Sequence, residues 1–209
     1  MLKDALSTLL GEKKKLPTED NAPIPIPNVD RRQYLTGVKL RGDYILFLVR
    51  VSGSMLGETI DDATARLEDS DTKKREAPKW QRTLHSLEWM IATLDPHTHF
   101  QIQFFNEETT PILPTRADEW FTTDDKQSLK EIISKLHSVV PQGGANLERA
   151  FTTVRYMKHL PDSVVLFTDG LPTLSDSVPT DGAVDQPTRV KFYEVAVRQL
   201  PPRIPVSTI

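Results

Sequence analysis

Residues 44 to 51 read YILFLVRV, an apolar run broken once, by Arg50. A strand with one wet face alternates apolar and polar residues; a run without alternation reads as a strand buried on both faces, inside a parallel sheet. Residues 163 to 168 (SVVLFT) repeat the pattern, residues 100 to 105 (FQIQFF) partly alternate, and residues 204 to 209 begin a further strand. Residues 109 to 113 read as a short edge strand, because Pro111 and Pro114 exclude a central position. Helical spacing fills the gaps. Trp80, Leu84, Leu87, Ile91 and Leu94 mark a helix over 78 to 94, and Leu129, Ile132, Ile133 and Leu136 one over 125 to 138. Leu147, Ala150, Phe151, Val154 and Met157 mark 146 to 159; Val190, Phe192, Tyr193, Val197 and Leu200 mark 188 to 200. Strands alternating with helices imply an α/β fold with a mostly parallel central sheet.

Outward from this core the signals weaken. Residues 58 to 76 are dense in charge and read as a solvated loop or as the start of the first long helix. Leu2, Ala5, Leu6, Leu9 and Leu10 share one helical face, so residues 2 to 10 read as a short amphipathic helix stopped by Gly11. It is expected to pack on its own domain; a membrane-surface role is the weaker reading, since so short a helix binds lipid poorly. Pro17, Pro23, Pro25 and Pro27 favour extended, polyproline-like backbone and make a linker of residues 12 to 28. The division expected is therefore an arm over residues 1 to 41 and a domain over 42 to 209. Arg41, Gly42 and Asp43 form an adhesion-type tripeptide, read here as a turn into the first strand.

Composition narrows the function classes. The 209 residues include no cysteine, which removes disulfide scaffolds, thiol nucleophiles and Cys-bound zinc. Lys and Arg number 26 against 29 Asp and Glu, a formal charge of -3, so nothing draws the chain as a whole to nucleic acid. No window is long and apolar enough for a membrane span, and the N-terminus lacks the layout of a signal peptide. A cytoplasmic location is expected on that ground. The histidines carry no metal-ligand signature; His97 and His99 alone sit at i, i+2 spacing. Trp80, Trp89 and Trp120 read as packing residues.

Ligands of open α/β sheets bind at the carboxyl ends of the strands. Three loops stand there: Arg50-Val51-Ser52-Gly53-Ser54-Met55, Gly143-Gly144-Ala145-Asn146-Leu147 and Phe167-Thr168-Asp169-Gly170. In this order, on these elements, they resemble the von Willebrand factor A domain over about residues 42 to 209. That family carries D-x-S-x-S after its first strand, a Thr in a G-G-T-N-L-like loop and an Asp in a T-D-G loop, which together hold a metal ion, usually Mg²⁺. The resemblance implies a Rossmann-like three-layer sandwich with a short antiparallel edge strand, and a closing helix that this chain is expected to lack. It also implies a binding face for a protein partner, an acidic partner side chain completing the metal's coordination. The loops are closer in style to bacterial members of the family.

Ser52, Ser54 and Asp169 match the motif, whereas Arg50 stands at the first Asp position and Ala145 at the Thr position. A guanidinium stays protonated and ligates no metal, so the remnant site is expected to be unoccupied and no cofactor is expected, with Mg²⁺ the ion should it still bind. Arg50 either pairs with Asp169 in roughly the metal's place or swings out to solvent on its long stem. The function expected is a noncatalytic protein-interaction or scaffold module, with Arg50, Ser52, Ser54, Asn146 and Asp169 on the partner face. The alternatives are a Mg²⁺-dependent binding module and a metal-assisted hydrolase, the latter calling for several converging carboxylates.

Overall fold

The computed structural model describes residues 42–180 and 184–209. The amphipathic and Pro-rich segments read in residues 1 to 41 lie outside the described residues. Five strands form one sheet in the order β3-β2-β1-β4-β5, where β1 is Tyr44–Arg50, β2 His99–Phe105, β3 Thr109–Pro111, β4 Ser163–Phe167 and β5 Val206–Thr208. All pairings are parallel except β2 with the edge strand β3. This is the three-layer α/β sandwich that the sequence implies.

The uninterrupted run 45 to 49 follows from its place. β1 sits between β2 and β4, with Phe47 paired to Ile102 on one side and Val165 on the other. Its odd residues Ile45, Phe47 and Val49 enter a core built with α3 (Pro78–Ala92) and α4 (Lys126–Ser138), through Trp80, Leu84, Leu87, Leu129, Ile132 and Leu136. Its even residues Leu46 and Leu48 enter a second core with α5 (Leu147–Arg155) and α6 (Gln186–Gln199), through Leu147, Ala150, Phe151, Val154 and Ala196. Arg50 shares the parity of the second set but stands at the strand's last position, where a side chain leaves the core for the loops.

Two expectations are corrected. The charged stretch 58 to 76 is neither a loop nor the start of α3: it holds two short helices, α1 (Ile60–Ala65) and α2 (Asp71–Arg75). Thr59 caps α1 by accepting a hydrogen bond from the Asp62 amide at 3.1 Å, and Ser70 stands at the N-cap of α2. The helix read to residue 159 stops at Arg155, where Tyr156 leaves helical geometry at the C-cap. Chain entry is set by Gly42, at φ +89°, where a β-carbon would collide with Asp162. The Asp162 carboxylate in turn accepts from the amides of Asp43 and Tyr44, at 2.8 and 3.0 Å.

Phe47 is fully buried at the centre of the sheet, its ring centroid 6.4 Å from those of both Phe100 and Phe167. Phe47→Ala is expected to lower unfolding free energy by about 3–5 kcal/mol in urea titrations. Ile60→Ser, at a side chain 83% exposed, should stay within about 0.5 kcal/mol of the parent.

Candidate functional site

The three loops singled out by the sequence converge at the carboxyl end of the sheet. β1 hands the chain to a short 3₁₀ turn, Gly53–Leu56, stitched to the 142–143 loop: the Gly53 amide donates to the Gly143 carbonyl and that of Gln142 to the Val51 carbonyl, at 2.9 and 2.8 Å. The next loop is tied to the segment after β4. The Ala145 amide donates to the Thr173 hydroxyl at 2.8 Å, and the Ala145 carbonyl accepts from Thr173 and Leu174.

At the centre Arg50 turns inward. Only 1% of it is exposed, and its Nη1 lies 3.0 Å from Asp169 Oδ1. Of the two placements open from the sequence, the ion pair with Asp169 is the one present. Nη1 also points at the carbonyls of Gly170 and Leu171, at 3.0 and 3.3 Å, and Nε donates to Ser52 Oγ at 2.7 Å. Ser54 Oγ donates to Asp169 Oδ1 at 3.2 Å, which spends its proton. The 3.0 Å contact between the two serines therefore has Ser52 as donor. A closed ring results: Arg50 donates to Ser52, Ser52 to Ser54 and Ser54 to Asp169, and Arg50 donates a second time, to Asp169, to close it. In such a ring each bond polarises the next.

The other carboxylate oxygen is held by a residue the motif does not contain. Lys79 Nζ lies 2.6 Å from Asp169 Oδ2 and donates to the carbonyls of Ser54 and Gly57, at 2.9 and 3.0 Å. Its sequence signal was local. A lysine directly after Pro78, in the first turn of α3, stands at the end of a helix where a cation is disfavoured, and so needs a partner elsewhere. Arg189 of α6 completes the positive surroundings, donating to the carbonyls of Leu171 and Pro172 at 2.6 and 3.2 Å.

Ionisation follows from these contacts. Burial opposes charge on Asp169, but Arg50, Lys79 and the Ser54 hydroxyl outweigh it and hold its carboxyl below the usual range. Burial pulls the Arg50 guanidinium down, with Asp169 opposing and Arg189 adding to the fall; arginine nonetheless remains a cation.

The expected partner face needs correcting. Arg50, Ser52 and Asn146 are buried, at 1%, 2% and 3% exposure, and their side chains form no part of the surface. Asn146 caps α5 instead: its Oδ1 accepts from the Arg149 amide and its Nδ2 donates to Asp176, both at 3.0 Å. Ser54 is half-buried, and Asp169 has an open backbone but a carboxylate 14% exposed. Ala145 is fully enclosed in the second core.

Sequence reasoning also missed Glu148, a buried carboxylate in the first turn of α5. It organises the loop after Asp169 by accepting from Ser175 Oγ at 2.6 Å, the amides of Asp176 and Ser177 at 2.9 and 3.1 Å, and the Ser177 hydroxyl. Burial opposes its ionisation, and these four donors bring its carboxyl below the ordinary range. Among the described residues, no three His, Cys, Asp or Glu side chains are placed to hold a metal ion.

No family profile matches the chain, and no curated protein does. Solved structures do resemble its fold. A von Willebrand factor type A protein from Catenulispora acidiphila is 16% identical at a TM-score of 0.46, the match covering 79% of this chain and 32% of that one. The conserved hypothetical protein BatB from Bacteroides thetaiotaomicron is 17% identical at 0.45, over 80% and 65%. Proximal thread matrix protein 1 of the mussel byssus, solved with zinc in its MIDAS motif, is 15% identical at 0.40, over 79% and 36%. The chain thus matches about a third to two thirds of the length of these structures, and the reading of the site rests on its own residues.

Asp169→Asn is expected to destabilise the fold by about 3–5 kcal/mol at pH 7, because it leaves a buried guanidinium without its anion. The sign with pH follows from the depressed carboxyl: its contribution is full above the ordinary value of 3.8 and is lost as pH falls through the lower folded value. Melting temperatures of parent and variant should therefore differ by a constant amount from pH 7 to about 5 and converge in more acid solution.

Proposed function

We propose that this chain is a noncatalytic protein-interaction module of von Willebrand factor A type, with two side-chain cations standing where the family holds a metal ion. One observation carries the reading: Arg50 takes one oxygen of Asp169 and Lys79 the other, at 3.0 and 2.6 Å. Mg²⁺ requires six oxygen ligands in near-octahedral geometry and several retained waters. The donors around this point are two serine hydroxyls already spent in a ring and one carboxylate already neutralised, with a guanidinium among them. This set does not fit a divalent cation.

The same facts weigh against catalysis. Asp169 is the carboxylate the motif supplies, and a carboxyl held below its ordinary range between two cations is a poor proton donor or acceptor near neutral pH. The hydrolase alternative asks for several carboxylates on one cation, and here two cations converge on one carboxylate. Recruitment of an acidic partner through Arg50 is unavailable too, since the guanidinium is buried and engaged. Partner contact at this face falls to its rim. Ile60 projects from the start of α1, and Leu67, 42% exposed, lies over Gly53. Binding there would be apolar and indifferent to chelators.

Melting curves of the full chain in Mg²⁺ or Mn²⁺ against chelator test the reading. The parent is expected to show no difference. Arg50→Asp combined with Lys79→Gln restores a carboxylate and clears the second cation, and its melting temperature should rise with metal. At free metal about 100-fold above the dissociation constant, linkage adds roughly 2.7 kcal/mol. A response in the parent would overturn the cation substitution; silence in both chains would overturn the idea that this is a metal position at all.

A further inference from the structure

Among the described residues eight large apolar side chains are exposed, and four of them gather around β5. Val190, Tyr193 and Val197 of α6 and Val206 of β5 are each between 38% and 44% exposed. The three on α6 are spaced three and four residues apart, which lines them up on one flank in the pattern of a seam between two helices. That flank is turned from α5, whose Arg155 reaches the Arg198 carbonyl on the other side at 3.2 Å. Register puts Val206 on the face of the sheet that α6 covers: it pairs with Val164, and Val164 enters the second core with Ala196. Leu200 and Ile204, which join helix to strand, pack against that core as well.

β5 is also an open edge. Its one sheet neighbour among the described residues is β4. The Pro205 carbonyl accepts from the Val164 amide at 2.9 Å, and Ile209 bonds both Leu166 and Thr168. The odd residues are thus turned to β4, so the amides and carbonyls of Val206 and Thr208 point away from it. Native edges are blunted by charge or proline. β3 follows Glu107 and Glu108 and ends in Pro111. Val206-Ser207-Thr208-Ile209 has neither safeguard, and three of the four residues are β-branched, which suits them to pairing.

We propose that a second copy of this chain covers that side, β5 pairing antiparallel with its counterpart about a two-fold axis through Ser207. The register is self-complementary: Val206 faces the second copy's Thr208 and the reverse, each pair exchanging two backbone hydrogen bonds. The same axis, perpendicular to the sheet, brings the two α6 helices together. A crossover helix lying over the β4–β5 pair stands one strand spacing, about 4.8 Å, from that axis. The two helices are then about 9.6 Å apart, inside the range at which helices pack. Their stripes meet, Tyr193 near the axis and Val190 against Val197. Charge suits the pairing as well. Exposed Glu194 of one helix runs antiparallel toward exposed Lys191 of the other, and residues 204–209 hold no charge to meet its like. One helix flank and one strand edge make a footprint at the low end of specific interfaces, about 1,200 Å² in total, so the dimer is reversible, with a dissociation constant of roughly micromolar order.

Analytical ultracentrifugation of the full chain across the micromolar range tests this. The mass should double with concentration and go no further, because a two-fold pairing is closed. Val206→Lys/Thr208→Lys sets lysines against each other across the axis, and Tyr193→Glu puts a charge into the helix seam. Each is expected to raise the dissociation constant by about tenfold or more. All three side chains are exposed, so melting curves taken where every chain is monomeric should stay close to the parent's. A monomeric parent overturns the proposal, whether the edge stays open or other residues of the same chain cover it. Assemblies larger than two overturn it, as does a dimer that survives Val206→Lys/Thr208→Lys. A dimer that yields to the strand variant but withstands Tyr193→Glu overturns it too, since one axis joins both elements.

Discussion

The buried pair between Arg50 and Asp169 constrains the carboxyl end of the molecule. A guanidinium at the end of a strand packed on both sides has two choices, to leave the core or to be neutralised within it, and the second is costly unless its N–H groups and its charge are both met. Here the carboxylate meets the charge, and Ser52 and the Gly170 and Leu171 carbonyls take the protons. Those acceptors belong to the loops that follow the paired strands β1 and β4. The pair thereby fixes the start of one loop against the other, and Lys79 adds the first turn of α3 to the same point. Removing either cation leaves Asp169 with one cation and the Ser54 hydroxyl; removing Asp169 leaves two cations facing each other in a shielded place.

Much of the fold was legible in the sequence, for a plain reason. A run such as residues 45 to 49 has only one home, the middle of a sheet covered on both sides, and its neighbours then follow from the alternation of strand and helix periods. The exceptions were also physical. The 58 to 76 stretch has no apolar period, and its two short helices are held by the Thr59 cap and local backbone hydrogen bonds, which a pattern of hydrophobic residues does not register. The candidate site was legible only as a set of loops. Ser52, Ser54 and Asp169 could be named because they match the motif that the three loops resemble; whether Arg50 turned inward could not, because its stem is long enough for either course. Lys79 and Glu148 act on residues far from them in sequence, and no spacing rule joins a helix's first turn to a loop ninety or thirty residues away. Asn146 was named for the wrong role: its position at the start of α5 makes it a cap, and here that cap is buried.

The two ends of the sheet have opposite chemistry. At the carboxyl end, charge is concentrated and consumed internally, by a ring of short hydrogen bonds around one carboxylate. At the amino end, the side chains that cap the strands are Tyr44, His99 and Trp120, whose rings satisfy each other and still leave faces to water. Parallel topology produces this polarity. Every parallel strand starts at one end of the sheet and finishes at the other, so the loops that follow the strands gather at the carboxyl end.

On the reading proposed for this site, two monovalent side chains stand in for one divalent ion, a substitution balanced in charge but not in capacity. A metal ion held by protein oxygens keeps an open coordination position, and that vacancy is what a partner carboxylate can enter. A guanidinium and an ammonium carry the same total charge with their donors tied to Ser52, Asp169 and the carbonyls of Ser54, Gly57, Gly170 and Leu171. What they gain is independence from metal concentration and a pH range bounded only by the titration of Asp169. What they lose is the vacancy. On this reading affinity at the carboxyl end has to come from shape and apolar area at the rim, where Ile60 and Leu67 stand, and the centre serves to hold that rim in place.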